Sequence, residues 1–187
     1  MIKNRYTIAQ ILPALNTGGV ERGVIEISKA LIDNNFKSIV ISSGGHMEAQ
    51  LRRTGGIHYK LDVNSKNPFR WHKIRKELKI ILKNENVDLL HLCSRAPAWI
   101  AFPLGKTLKI PVITSVHMRF RKTNFFKKIY NSILIKGDLV IAISKHIELC
   151  IKNTFPKVSH KIKVVHRGVD LNLFDPFFRW KEQSRKM

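Results

Sequence analysis

Cysteine is almost missing from this chain: Cys93 and Cys150 are the only two in 187 residues. That excludes a disulfide framework and any four-cysteine zinc site, and makes a reducing compartment the expectation. Acidic residues are the second scarcity. Asp and Glu number 13 against 34 Lys and Arg, a formal net charge of +21, which points to an anionic partner. Long apolar runs are missing as well, since a membrane span needs about 18 consecutive apolar residues. The longest candidate, residues 133–143, is broken by Lys136, Gly137 and Asp138. Lys3 and Arg5 ahead of a short apolar stretch imitate a secretion signal, but the stretch holds Gln10 and Asn16 and runs into Gly18-Gly19 instead of a cleavage site. It reads as a strand, and a cytoplasmic location is expected. There is no internal repeat, no low-complexity segment, no serine–histidine–acid pattern and no histidine pair at metal spacing; no metal site is expected. His58, His72 and His160 read as surface or filler positions.

What is present is an ordinary globular composition, 44% hydrophobic and 25% charged, in a chain long enough to bury roughly 70% of its unfolded surface. Apolar β-type runs at 7–12, 37–42, 57–61, 89–93, 112–116, 139–143 and 163–166 alternate with helix-period segments at 19–34, 47–53, 71–83, 97–108, 125–135 and 144–153. Val20, Val24, Ile27 and Leu31 fall on one face of the first helix, and Ile74, Leu78, Ile81 and Leu82 on one face of the third. Ser144 stands at an N-cap position. Strand–helix alternation implies right-handed βαβ units and a doubly wound parallel sheet in a single α/β, Rossmann-like domain. The domain is expected over residues 1–176, followed after Asp175-Pro176 by a basic aromatic tail, 177–187.

In such a sheet, ligands sit at the carboxyl ends of the strands. Three segments fall there. Gly18 and Gly19, between the first strand and first helix, suit either an anion held on backbone N–H groups or a tight turn. His117, just past the fifth strand, suits either a substrate contact or a structural role. Arg95, after the fourth strand, suits either an anion clamp or a surface position. Two phosphate motifs are excluded. Gly18, Gly19 and Gly23 have the wrong spacing for a dinucleotide fingerprint, and Ser42-Ser43 supplies no acid for a ribose. Gly105-Lys106-Thr107 lacks the earlier glycine of a P-loop, with Ile100 in its place, and it closes a helix.

Taken in order, these segments resemble the N-terminal domain of retaining glycosyltransferases of family 4, one half of the two-domain GT-B arrangement. Gly18-Gly19-Val20-Glu21-Arg22 resembles the Gly-Gly-x-Glu loop. Residues 88–99 resemble a block of members that build bacterial cell-surface polysaccharide, and residues 111–117 resemble the strand ending in the family's histidine. Residues 139–145 resemble its V-x-A-x-S strand. Arg167-Gly168-Val169-Asp170, with Phe174 and Pro176, resembles the run leading to the second domain, although Asn more often precedes the glycine. The resemblance implies a diphosphate-contacting role for Gly18 and Gly19 and a polar, orienting, catalytic role for His117. It implies acceptor-side positions for Glu21 and Arg95. It also implies a nucleotide-sugar co-substrate, no other cofactor, and a cell-envelope glycan or lipid-linked acceptor, as in lipopolysaccharide assembly. The nucleotide-sugar pocket belongs to the family's second domain. Transfer is therefore not expected from these residues alone, and a separate polypeptide carrying that domain is one expected partner.

The basic excess is clustered. Arg70, Lys73, Arg75, Lys76, Lys79 and Lys83 crowd one helix, and Arg119, Arg121, Lys122, Lys127 and Lys128 surround Phe120, Phe125 and Phe126. A charge run is commonly a solvated face. The interleaved aromatics favour the anionic inner face of the cytoplasmic membrane, where each basic residue contributes about 1 kcal/mol. A non-catalytic basic module binding nucleic acid or a protein is the alternative, without any helix-turn-helix, finger or RNA-binding aromatic motif in its favour.

Overall fold

The computed structural model of the protein describes residues 5–65, 67–120 and 124–168. Arg121, Lys122, the expected domain boundary at 176 and the tail 177–187 lie outside them. Seven strands, β1 (Thr7–Ile11), β2 (Lys37–Ser42), β3 (Ile57–Lys60), β4 (Leu89–Leu92), β5 (Val112–Val116), β6 (Leu139–Ala142) and β7 (Ile162–Val164), form one sheet in the order β3-β2-β1-β4-β5-β6-β7. Every neighbouring pair is parallel. Six helices join them: α1 (Gly19–Asp33), α2 (Glu48–Arg53), α3 (Pro68–Asn84), α4 (Arg95–Leu108), α5 (Phe125–Ser132) and α6 (Lys145–Thr154). Short 3₁₀ segments follow α5 and α6, at Ile133–Ile135 and Pro156–Lys161. This is the expected doubly wound sheet, with its switch point between β1 and β4.

The connections leading from β1 towards β3 run one way and those from β4 towards β7 the other, so right-handed crossovers place their helices on opposite faces. On one face, Ile74, Leu78 and Leu82 of α3, Ile100 and Leu104 of α4 and Ile147 and Ile151 of α6 pack on Ile11, Ile41, Leu90, Leu92, Val112, Val116, Val140 and Ile162. On the other, Val24 and Ile25 of α1 and Leu51 of α2 pack on Leu12, Leu15 and Val40. That second layer stops near β4. Beyond it, Leu89, Ile113, Leu139, Ile141 and Ile143 are only half-buried and Val165 is 51% exposed. Parallel sheets are normally covered on both faces; among the described residues, this one is clad on both faces only around β1 and β2.

Of Val20, Val24, Ile27 and Leu31, the residues sharing one face of α1, Val24 is buried and Val20 packs against its cluster, but Ile27 is 40% exposed and borders an open cavity with both valines. The residues of α1 buried against the sheet are Gly23, Val24, Ile25 and Ser28. Ser28 is held by the hydroxyl of Ser38, 2.8 Å away on β2, and the Gln10 amide donates to the Val24 carbonyl at 3.1 Å. Small and polar side chains therefore let the helix sit close to the sheet.

Pro103 lies inside α4. Proline has no N–H for the carbonyl four residues back, here that of Trp99. Arg75 of α3 supplies the donor instead, through Nη2 to the Trp99 carbonyl at 2.9 Å and Nε to the Ile100 carbonyl at 3.2 Å. One member of the expected basic helix cluster thus ties two helices together. Ser144 caps α6, accepting from the Ile147 N–H at 3.2 Å.

Candidate functional site

The chain leaves β1 and reaches α1 through a loop braced from beneath by the β2–α2 turn. Leu15 N–H donates to the Gly44 carbonyl and Met47 N–H to the Leu15 carbonyl, each at 2.9 Å. Gly45 has φ +154°, and a Cβ there would run into the Leu15 carbonyl, so only glycine fits under the loop. Thr17 Oγ1 and His46 Nε2 close the brace at 2.8 Å. The same turn is anchored by a chain of polar groups running from buried Ser42 and the buried His58 ring to the half-buried Glu48. Ser42 Oγ lies 2.9 Å from His58 Nε2, and His58 Nδ1 lies 3.3 Å from Glu48 Oε2. Glu48 Oε1 accepts from Gly45 N–H at 2.8 Å, which holds its carboxyl below the usual range. His58 is thus a buried structural residue and not surface or filler. A serine–histidine–acid arrangement exists after all, assembled from three segments, but Ser42 is fully buried and unreachable as a nucleophile.

Gly18 opens α1 without a side-chain cap, and Arg22 N–H makes the first helical bond, to the Gly18 carbonyl at 3.1 Å. Glu21 folds back so that its carboxylate lies where a Gly18 Cβ would be. Beside this loop the bare sheet face carries four chemical groups in two adjacent strands: His91 and Cys93 from the end of β4, Ser115 and His117 from the end of β5. His91 Nε2 and Ser115 Oγ are 2.6 Å apart and both residues are buried. Burial pushes His91 down to about 4 and the Cys93 thiol up to about 12, so the first is neutral and the second unreactive at neutral pH.

His117 is pushed down to about 4 by burial, then by the Arg167 charge and by His91. Arg167 enters from the irregular chain after β7. It donates from Nη1 to the Gly19 carbonyl, and its Nη2 lies 3.0 Å from His117 Nδ1. A cavity of about 420 Å³ spans this group, bordered by Val20, Gly23, His91, Cys93, Ser115, His117 and Arg167. Its polar groups can donate and accept hydrogen bonds, and its walls are apolar. Among the described residues, no cluster of three or more His, Cys, Asp or Glu side chains is suited to a metal.

Gly18, Gly19 and Glu21 share one loop, and Arg167 links Gly19 of that loop to His117. Arg95 is placed elsewhere. Its Nη1 donates to Asn131 Oδ1 at 2.7 Å and its guanidinium lies 5.9 Å from the Tyr130 ring, joining α4 to α5. Lys127 and Lys128 are exposed on α5 and Arg119 just before it. Phe125 and Phe126 between them are 72% and 77% exposed, and Met118 is 64% exposed. Asn124 caps this short helix by accepting from Lys127 N–H at 3.1 Å. No helix among the described residues is long and apolar enough to cross a membrane.

His91, Ser115, Cys93 and Arg167 were not assigned to the site from sequence. The signal for the first three was present: His91-x-Cys93 and Ser115-x-His117 are alternate positions at the ends of adjacent strands, so all four share one face. Nothing in local sequence points Arg167 back to residues 50 and 148 positions away.

Comparison with known proteins agrees with this geometry. The model of Glycosyltransferase Family 4 matches residues 17–173. A solved glycosyltransferase from Rickettsia africae is 40% identical and superimposes with a TM-score of 0.80, over 93% of this chain and 46% of its own. Anabaena HepE, solved with UDP-glucose, is 15% identical with a TM-score of 0.73, over 89% of this chain and 45% of its own. The lipopolysaccharide outer core galactosyltransferase WaaB is 19% identical with a TM-score of 0.65, over 88% and 46%. Spore coat protein SA of Bacillus subtilis is 25% identical over 90% of this chain, which spans only 42% of that relative's length. With the glycine loop, the histidine strand and Arg167-Gly168-Val169-Asp170 all inside the matched region, this chain belongs to glycosyltransferase family 4.

Proposed function

We propose that this chain is the acceptor-side half of a sugar transferase. It would pass a glycosyl group from a nucleotide-sugar to a cell-envelope glycan or lipid-linked acceptor at an anionic membrane surface. The observation that carries the reading is the cavity at the carboxyl edge of the sheet, bordered by Val20 and Gly23 of the first turns of α1, by His117, and by Arg167, which also bonds the Gly19 carbonyl. Helix N-termini favour phosphate, and a histidine beside such a start can orient a sugar or acceptor hydroxyl. Glu21 occupies the approach to Gly18, so a diphosphate has to displace its carboxylate. Transfer depends on orienting donor and acceptor in a dry cleft, which calls for a donor-binding domain beyond the residues described.

Calorimetry with UDP-glucose and other nucleotide-sugars tests this. Binding to the isolated chain is expected in the millimolar range or weaker, a free energy no better than about −4 kcal/mol. A matching donor domain supplied in trans is expected to restore transfer, and His117→Ala to remove most of it. Gly19→Val should act similarly, because a Cβ there already approaches Arg167 Nη1 to 3.1 Å. Micromolar affinity, or turnover by the chain alone, would overturn the reading.

The membrane assignment is supported by Phe125, Phe126 and Met118, exposed beside Arg119, Lys127 and Lys128. Exposed phenyl rings add nothing to phosphate-backbone binding but insert readily at a headgroup boundary. Sedimentation with phosphatidylglycerol vesicles, against an oligonucleotide of equal charge, separates the membrane from the nucleic-acid alternative.

A further inference from the structure

Arg167 joins the three parts of the site. Its guanidinium reaches from the chain after β7 to the Gly19 carbonyl and to His117 Nδ1, 3.0 Å away. The glycines around it are shaped to it: a Cβ at Gly23 would stand 3.0 Å from Nη2 and 3.1 Å from Cζ, and one at Gly19 would stand 3.1 Å from Nη1. Room for this guanidinium, as much as room for a ligand, accounts for two of the three glycines at the start of α1.

A guanidinium has five N–H groups and no acceptor, and it stays charged at any physiological pH. Facing it, His117 Nδ1 is an acceptor. A neutral imidazole whose Nδ1 accepts carries its proton on Nε2. A doubly protonated ring would set two donors against each other beside a fixed positive charge. The lowered affinity of His117 for a proton agrees with that. The other ring nitrogen completes the picture: Nε2 is buried and meets no partner among the described residues. A buried donor left unpaired is costly, and this one belongs to a residue that borders the cavity.

We propose that Arg167 is a positioning residue that locks His117 as the Nε2–H tautomer, making His117 a hydrogen-bond donor to a ligand oxygen and not a general base. With Nδ1 occupied by Arg167 and Nε2 carrying the proton, the ring has no free lone pair with which to take a proton from an attacking hydroxyl. The ligand oxygen that fits is an acceptor: a sugar hydroxyl, a carbonyl or a phosphate oxygen. Which ligand uses the donor rests on the transferase reading above; the tautomer does not.

The tautomer is read directly by long-range ¹H–¹⁵N correlation spectra of the ¹⁵N-histidine-labelled chain at pH 7, with His117→Gln identifying the resonances. The expected pattern is an unprotonated Nδ1 and a protonated Nε2 in a single form. Arg167→Met keeps the side-chain length and removes the donors; it is expected to give a mixture of tautomers, and Arg167→Lys to retain more of the original form. A protonated Nδ1 in the unaltered chain overturns the proposal whether or not any variant folds, as does an unchanged His117 pattern in a folded Arg167→Met. In a transfer assay with a matching donor domain, His117→Gln, which still offers an N–H but no base, should keep at least about tenfold more activity than His117→Ala. Equal loss in both would refute the donor role. An assay without transfer in any variant would sink the transferase reading and leave the spectra to judge the tautomer.

Discussion

The β3-β2-β1 half of the sheet and the β4–β7 half have the same parallel pairing but differ in what covers them. Around β1 and β2 both faces are packed, and polar side chains are absorbed into structure: Ser28 with Ser38, Ser42 with His58 and Glu48. From β4 onward one face is left bare by the described residues, and there the polar groups border a cavity. Gln10 marks the seam, with its Nε2 bonded to the Val24 carbonyl and its Oε1 without a partner among the described residues. The same strand-end chemistry is thus structural where a second layer covers it and available where none does.

Core truncation should split the two halves most sharply. Leu12 is fully buried under α1 and α2, so Leu12→Ala should cost about 2–5 kcal/mol in urea unfolding. Ile141, half-buried on the bare face, should cost under about 1 kcal/mol on the same change. Equal losses would mean that the open face is covered in solution and would break the comparison.

Acid should act next, through His91 and His117. Both have an ordinary value of 6.5 and stand at about 4 in the fold. Between those values the unfolded chain binds more protons, so stability falls as pH drops from about 6.5 to 4 and is level above about 7. His58 is displaced in the same direction by burial. Unfolding free energies at pH 7 and pH 5 measure the loss, and His91→Gln should flatten the dependence.

Arg75 tests the packed face beneath the bare one. Arg75→Met leaves the Trp99 and Ile100 carbonyls without their side-chain donor and should cost about 1.5–3 kcal/mol in the same unfolding experiment. The smallest effect on stability is expected at the exposed surface. Replacing Phe125, Phe126, Lys127 and Lys128 together should change unfolding by under about 0.5 kcal/mol per site while removing binding to anionic vesicles at low salt. A large stability loss there would recast the patch as packing.

Much of this architecture was legible in sequence, because apolar strands such as Leu139–Ala142 and the Ile74/Leu78/Leu82 stripe carry their periodicities openly. Helix ends drifted by a few residues: α3 begins at Pro68, behind the Asn67 cap that accepts from Phe69 N–H at 3.0 Å, and not at Trp71. On α1 the stripe identified an apolar face without saying how far it is covered: Val24 is buried while Ile27 is 40% exposed. At the site, His117 and the glycine loop were visible from their position after strands. Arg167 and the burial of His58 were not, because both depend on contacts between segments distant in the chain. Arg95 looked like an anion clamp because nothing local reveals that Asn131 and Tyr130 meet it.

The strand order has a consequence for biogenesis. Among the described strands β1 is made earliest, yet one of its two neighbours is β4, and the Thr7 N–H is satisfied by the Asp88 carboxylate 81 positions later. On the ribosome, β1, β2 and β3 can pair while the other flank of β1 still presents an unpaired, apolar edge. At roughly 5–20 residues per second, that edge waits on the order of seconds for β4 to emerge. An open strand edge is a template for wrong pairing. Nascent chains halted between β3 and β4 should therefore be the ones most strongly held by chaperones, and release should follow once β4 has cleared the exit tunnel.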